Sequence, residues 1–111
     1  MQYLLMIYSD ETAPDPGLTS EYMAFTQDIV KSGAFKAGDR LKPSSTATTV
    51  RIRDGKTMIT DGPFAESREQ LGGYYLVEAK DLDEANAIAA RIPGARTGAI
   101  EVRPIFMMGD Y

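Results

Sequence analysis

The sequence predicts an α+β fold in which a strand, helix, strand unit occurs twice around an inserted hairpin, with both helices on one side of a single sheet. Three observations predict it. Residues 2–8 and 71–79 are apolar on both of their faces. Tyr22, Phe25, Ile29 and Val30, and later Leu82, Ala85, Ile88, Ala89 and Ile92, recur at helical spacing. Asp54-Gly55 separates two alternating runs, as a tight two-residue turn requires.

The first strand, Gln2 to Tyr8, is apolar at almost every position instead of alternating, so both of its faces need cover. Residues 9 to 17 hold Asp10, Pro14, Asp15, Pro16 and Gly17 and form a loop. Thr19 then stands where it can cap a helix, Glu21 falls in the first turn, and Gly33 ends the helix. Ala34 to Leu41 is a weaker strand, interrupted by Gly38, and its Asp39 and Arg40 suit an edge; Pro43-Ser44-Ser45 turns the chain. Thr48 to Arg53 and Lys56 to Thr60 pair across Asp54-Gly55, with Val50 and Ile52 on the face of Ile59 while Arg51 and Arg53 face away.

Leu71 to Ala79 carries Tyr74 and Leu76 on one side and Tyr75 and Val77 on the other, and Gly72-Gly73 permits a bulge or the close approach of another backbone. Asp81 with Glu84 three residues on resembles a capping box for the second helix, which Pro93-Gly94 stops. Ala99 to Ile105 closes the fold as a strand, followed by the apolar tail Phe106-Met107-Met108. This order is the βαββαβ ferredoxin-like plan with an extra hairpin in its middle connection. The first and third core strands of that plan are central in the sheet, and here they are the two doubly apolar ones. Both helices cover one face, so the other needs a second layer, and a second copy of the chain is its simplest supplier. A homodimer is the expectation.

At 111 residues the chain is read as one domain, 1–111. A net charge of −4 with 12 dispersed basic residues argues against direct nucleic-acid binding. No apolar run approaches the roughly 20 residues that span a bilayer, and the first eight residues lack a basic leader, so no membrane role and a cytoplasmic location are expected. With no Cys and no His, disulfides, thiolate nucleophiles, zinc–thiolate sites and the commonest general base are excluded. Any chemistry falls to carboxylates, Tyr, Lys, Arg or hydroxyls, and neither a cofactor nor a metal is expected.

Residues 61 to 73 concentrate the functional candidates. Asp61-Gly62-Pro63 is turn chemistry, and the loop it shapes carries Glu66, Glu69 and Arg68 beside the aromatic Phe64. Such a loop either lines a small polar pocket or leaves its carboxylates in water while Phe64 plugs the core; Asp61 itself suits an Asx turn. Glu101 and Arg103 share a strand face, where they pair with each other or hold an anionic ligand. Tyr8, Tyr74 and Tyr75 offer phenolic donors or simple packing. The candidate ligand-binding residues are thus Tyr8, Asp61, Phe64, Glu66, Glu69, Tyr75 and Arg103, with Asp61, Glu66 and Arg103 the candidates for catalysis.

The run Asp61-Gly62-Pro63-Phe64-Ala65-Glu66, then Glu69, Gly72-Gly73-Tyr74-Tyr75 and Glu101-Val102-Arg103-Pro104, resembles the DGPF branch of the YCII-related domain family. Ala47-Thr48-Thr49-Val50-Arg51 and Ile92-Pro93 extend the likeness over nearly the whole chain. The resemblance implies a ferredoxin-like fold that pairs into a dimeric α/β barrel, and a link to extracytoplasmic-function sigma factors. Some relatives in the wider family use a His-Asp pair, which this chain lacks. Two functions follow from residues and resemblance together. One is a small-molecule-binding or regulatory dimer. The alternative is a lyase or isomerase with Asp61 or Glu66 as base, Arg103 holding an acid group and a Tyr phenol as proton donor.

Since oxygen-only donor sets suit hard cations, no transition metal should be needed for folding. Chelator treatment of protein purified without a histidine tag is expected to leave its circular dichroism unchanged; stoichiometric zinc or iron in the purified chain would contradict this.

Overall fold

β1 (Gln2–Ser9) and β5 (Gln70–Glu78) run antiparallel through the middle of a four-stranded sheet of order β2-β5-β1-β6, with β2 (Phe35–Arg40) and β6 (Ala99–Pro104) at its edges. This computed structural model describes residues 1–14 and 16–110; the loop residue Asp15 and the terminal Tyr111 lie outside them. Helices α1 (Thr19–Lys31) and α2 (Leu82–Ala90) pack on one sheet face. Strand order, direction and the placing of the helices make the ferredoxin-like α+β fold. The two strands that are apolar on both faces occupy the centre, and Asp39 and Arg40 lie on an edge, as the sequence predicts.

The core forms where the helices meet the sheet. Tyr3 and Leu5 of β1 and Tyr75 and Val77 of β5 point to that side and bury against Phe25, Ile29, Ala85, Ile88, Ala89 and Ile92, with Ile100 and Val102 of β6 packed alongside. Strand alternation sends their neighbours Leu4, Met6, Tyr8, Tyr74 and Leu76 to the opposite face, where each keeps partial exposure. Among the described residues no helix or strand covers that second face.

Local details refine the reading. The first helix has Leu18 as its N-cap, with the Leu18 carbonyl accepting the Tyr22 N–H at 2.9 Å and no side-chain cap, so Thr19 is the first helical residue and not the cap. Val30 and Leu82 fall off the buried stripes and are about half exposed, at 54% and 49%. Asp81 caps α2 by accepting the Glu84 N–H at 2.9 Å, while the Glu84 carboxylate reaches the N–H of Lys80 at 3.3 Å and not that of Asp81. Gly72-Gly73 does both things expected of it: the register slips between Ile7 and Tyr8, and a Cβ on Gly73 would stand 2.9 Å from the Asp39 carbonyl oxygen.

The inserted hairpin, β3 (Thr48–Arg53) and β4 (Lys56–Asp61), is a separate two-stranded sheet. Asp54 and Gly55 take φ of 53° and 74°, the left-handed pair of a type I′ turn, which sets Val50 opposite Ile59 and Arg51 opposite Met58. Its only extensive contacts are between its own strands. The chain accordingly has a radius of gyration of 16.0 Å and extents of 47 × 43 × 18 Å, against about 13 Å expected for a closed domain of this length.

Leu5 is fully buried at the centre of the helix-side core. Truncation to alanine there leaves a cavity that sheet backbones cannot fill, so Leu5→Ala is expected to cost about 3 kcal/mol in urea unfolding. A loss below about 1 kcal/mol would mean that this core is not the one that holds the chain together.

Candidate functional site

The uncovered sheet face is ordered in rows set by strand register. One row runs Asp39, Tyr74, Met6, Glu101 across β2, β5, β1 and β6; the next runs Ala37, Leu76, Leu4, Arg103. Each row has an apolar middle and a polar end. Strands lie about 4.8 Å apart, so Asp39 and Glu101 stand about 14 Å from each other across a floor of Met6, Leu4 and Leu76.

At one margin the Tyr74 hydroxyl donates to Asp39 Oδ2 at 2.7 Å. That bond, followed by the negative charge of the carboxylate and some desolvation, raises the phenol above its ordinary value of 10.0. Tyr74 is therefore a neutral proton donor fixed in position by an acceptor. At the other margin the Arg103 guanidinium bonds the Glu101 carboxylate two residues away on the same face, both side chains partly exposed. Tyr8 continues the floor one step along β1, opposite Leu71, half-buried with its hydroxyl against the Met6 sulfur.

Leu71 also borders a second feature, an open cleft of about 650 Å³ lined by Leu41, Ala47, Thr49, Val50, Phe64 and others. Its walls come from the β2–β3 connection, the hairpin root and the loop after Asp61. That root is pinned: the Gly62 N–H donates to the Ala47 carbonyl at 2.7 Å and the Thr49 hydroxyl donates to the Gly62 carbonyl at 2.9 Å. The Ala47 carbonyl thus takes the backbone donor next to Asp61, and the Asp61 carboxylate, exposed at the end of β4, makes no hydrogen bond among the described residues.

Phe64 does not plug the core. It is 74% exposed and lies over the Arg51 guanidinium, whose carbon is 4.8 Å from the ring centre. Glu66 and Glu69 are exposed on the same loop, which Arg68 ties to Asp10 at 3.7 Å. Asp10 is held below the ordinary carboxylate value, mainly by the hydroxyl and N–H of Thr12 and further by Arg68. Within one chain, then, no contact gathers Asp61, Glu66 and Arg103. The Arg103 row crosses β5 at Leu76, six residues from Gln70 where the loop ends, or about 20 Å along the strand.

Tyr75 requires correction as a ligand contact. It faces the helices, is 8% exposed, bonds Thr26 Oγ1 at 2.7 Å and meets Phe25 edge-on at 5.2 Å. Its neighbour Tyr74 faces the uncovered side instead, together with Asp39. Both adjacent tyrosines look alike in a doubly apolar strand; the edge-strand carboxylate Asp39 was the signal that favours the face Tyr74 shares. Among the described residues no group of three or more acidic, His or Cys side chains is placed to hold a metal ion, and no helix is long and apolar enough to cross a membrane.

Known proteins resemble this arrangement in sequence and in fold. The YCII-related domain matches residues 1–109. An uncharacterized protein of Rhizobium meliloti strain 1021 is 36% identical over 114 residues, covering 95% of this chain and 92% of that protein. Among solved structures, 5-chloro-2-hydroxyhydroquinone dehydrochlorinase from Burkholderia phenoliruptrix AC1100, in complex with 2,5-dihydroxybenzoquinone, superposes with a TM-score of 0.54 at 13% identity, over 98% of this chain and 97% of that one. At that identity the likeness is one of fold.

The Asp39–Tyr74 pair makes a pH prediction. A phenol whose folded value is raised contributes stability below its unfolded value, near 10.0, and loses it as pH climbs through the folded value. Asp39→Asn is expected to move one tyrosine transition to lower pH in an ultraviolet absorbance titration, and Tyr74→Phe to delete that same transition. Superimposable curves for wild type and Asp39→Asn would mean that the pair does not form in solution.

Proposed function

The chain belongs to the YCII-related domain family, and we propose that it is a small-molecule-binding or regulatory protein whose ligand lies on the uncovered sheet face of a homodimer. The observation that carries this reading is the pair of rows across the sheet. An apolar floor of Leu4, Met6 and Leu76 suits the face of one small ring; the Arg103 guanidinium at one margin suits an oxygen acceptor on its rim, and the Tyr74 oxygen at the other, its proton held by Asp39, suits a hydroxyl donor there. A second copy placed over this face would exclude water and turn the strip into an enclosed site, as in a dimeric α/β barrel. The same reading takes the protein as cytoplasmic, with a functional link to a sigma factor as the family resemblance implies.

A second reading, catalysis of the lyase or isomerase kind, is favoured by one observation: Tyr74 keeps its proton beside Asp39, as a general acid must. The structural neighbour is a dehydrochlorinase, which is compatible with chemistry on such a face. Asp61 or Glu66 serves as the base in this reading only when a second copy brings them to the face.

The probe of choice is 2,5-dihydroxybenzoquinone, the compound held by the structural neighbour, used in calorimetric titration of the dialysed protein. Saturable binding is expected, weakened about fivefold in Tyr74→Phe and in Arg103→Gln, the factor that one lost hydrogen bond carries. Equal binding by both variants, or no saturable binding of this probe or of simple phenols and benzoates, would overturn the reading. Time-dependent spectral change of the bound probe would decide for catalysis over binding.

A further inference from the structure

We infer that the β3–β4 hairpin is an exchange arm that lies across the uncovered sheet face of a second copy and completes the ligand site there. The inference rests on the dimer reading above and adds to it which segment of the partner does the covering.

The arm is apolar along one face, basic with one methionine on the other, and wet on both. Ile52 and Ile59 on one face are 66% and 69% exposed, and Met58 on the other is 50% exposed, with Phe64 beside it. Two-stranded hairpins are marginal in water without a surface to pack on. Among the described residues its only extensive contacts are between its own two strands, and the chain measures 16.0 Å in radius of gyration. Nor is it free to fold back. The bonds from Gly62 and Thr49 fix its root, and the Leu41 N–H to Gly72 carbonyl bond at 2.9 Å fixes the connection before it.

Size, charge and continuity all point to a second copy as occupant. Strands of six residues extend about 20 Å, enough to cross a face about 14 Å wide. The three apolar side chains that share one face of the arm, Val50, Ile52 and Ile59, each with roughly 100 Å² in water, give two reciprocal arms on the order of 600 Å², and the faces they cover lose a like area, which together reaches the lower range of a specific interface. The arm tip sets Arg53 and Lys56 beside the single carboxylate of Asp54, with Arg51 behind them, whereas the margins of the face carry Asp39 and Glu101 against Arg103 in a chain of net charge −4. Leu71 joins the two surfaces, since it stands on the open face opposite Tyr8 and also borders the cleft beneath Val50. The exchange is isologous, each arm covering the other's face, as a closed two-fold dimer requires.

The absence of ordinary packing around the arm makes the test clean. A photoreactive benzophenone amino acid in place of Ile52 is expected to yield covalent dimers whose adducts map to residues 4–8 and 71–76 of the other chain. Adducts confined to the same chain, or no covalent dimer, would overturn the exchange. In parallel, Ile52→Lys with Ile59→Lys should leave circular dichroism intact, because both side chains are exposed in the single chain, yet weaken the dimer at least tenfold by sedimentation. An unchanged dissociation constant also overturns it. Titration of the same samples with 2,5-dihydroxybenzoquinone separates the failures: a stable dimer that binds the probe without trans adducts sinks only the exchange, whereas loss of both dimer and binding in wild type sinks the reading beneath it.

Discussion

Two helices can cover only one side of a sheet, and the two central strands of this protein are apolar on both. That constraint governs the rest of the structure. β1 and β5 direct Tyr3, Leu5, Tyr75 and Val77 into a helix-covered core and, by the two-residue period of the strand, must direct Leu4, Met6, Tyr74 and Leu76 away from it. Each square ångström of apolar surface left in water forfeits roughly 25 cal/mol. A monomer of this shape therefore stands on a core of ordinary composition while holding a second, unfinished one open.

The polar groups on that open face are as ordered as the apolar ones. Register puts Asp39 beside Tyr74 and, three strands across, Glu101 on the same row; Arg103 ends the next row. Their bonds are lateral, within the sheet surface, so the face stays flat and the donors stay in fixed positions without a pocket being carved into the chain. A binding surface of this kind needs a lid. The hairpin, fastened at its root and apolar along the face of Val50, Ile52 and Ile59, is the element of the chain with the length and the surface to act as one.

Much of the fold was legible because it follows from periodicity and turn chemistry. Doubly apolar runs fixed which strands are central, Asp54-Gly55 fixed the hairpin register, and Gly72-Gly73 announced both the bulge and the close approach of β2. The site was less legible for one physical reason. A strand that is apolar on both faces does not say which face the helices take, so Tyr74 and Tyr75 were indistinguishable, and the choice is made by Phe25, Phe35 and Thr26 closing around Tyr75. Turn chemistry misled in a similar way at Asp61. Its carboxylate has the right shape for an Asx turn, yet Pro63 two residues on offers no N–H, and the Ala47 carbonyl, brought alongside by strand pairing, accepts the Gly62 N–H first.

A site without His or Cys divides the labour of proton transfer in a particular way. Tyr74, bonded to a carboxylate that raises its pKa, holds its proton throughout the neutral range and directs it at Asp39, so its oxygen accepts from a ligand hydroxyl but does not take a proton from carbon. Asp39 is engaged by that same phenol, and Glu101 by Arg103, which leaves no unengaged carboxylate on the two rows of one chain. On the proposed reading, such a surface recognises oxygen-bearing rings. Proton abstraction would need a base from outside it, and the arm and the loop that follows are where the chain keeps carboxylates without partners of this kind, Asp61 among them. Binding and catalysis thus differ here by a single delivered group, and whether the lid delivers one is what separates them.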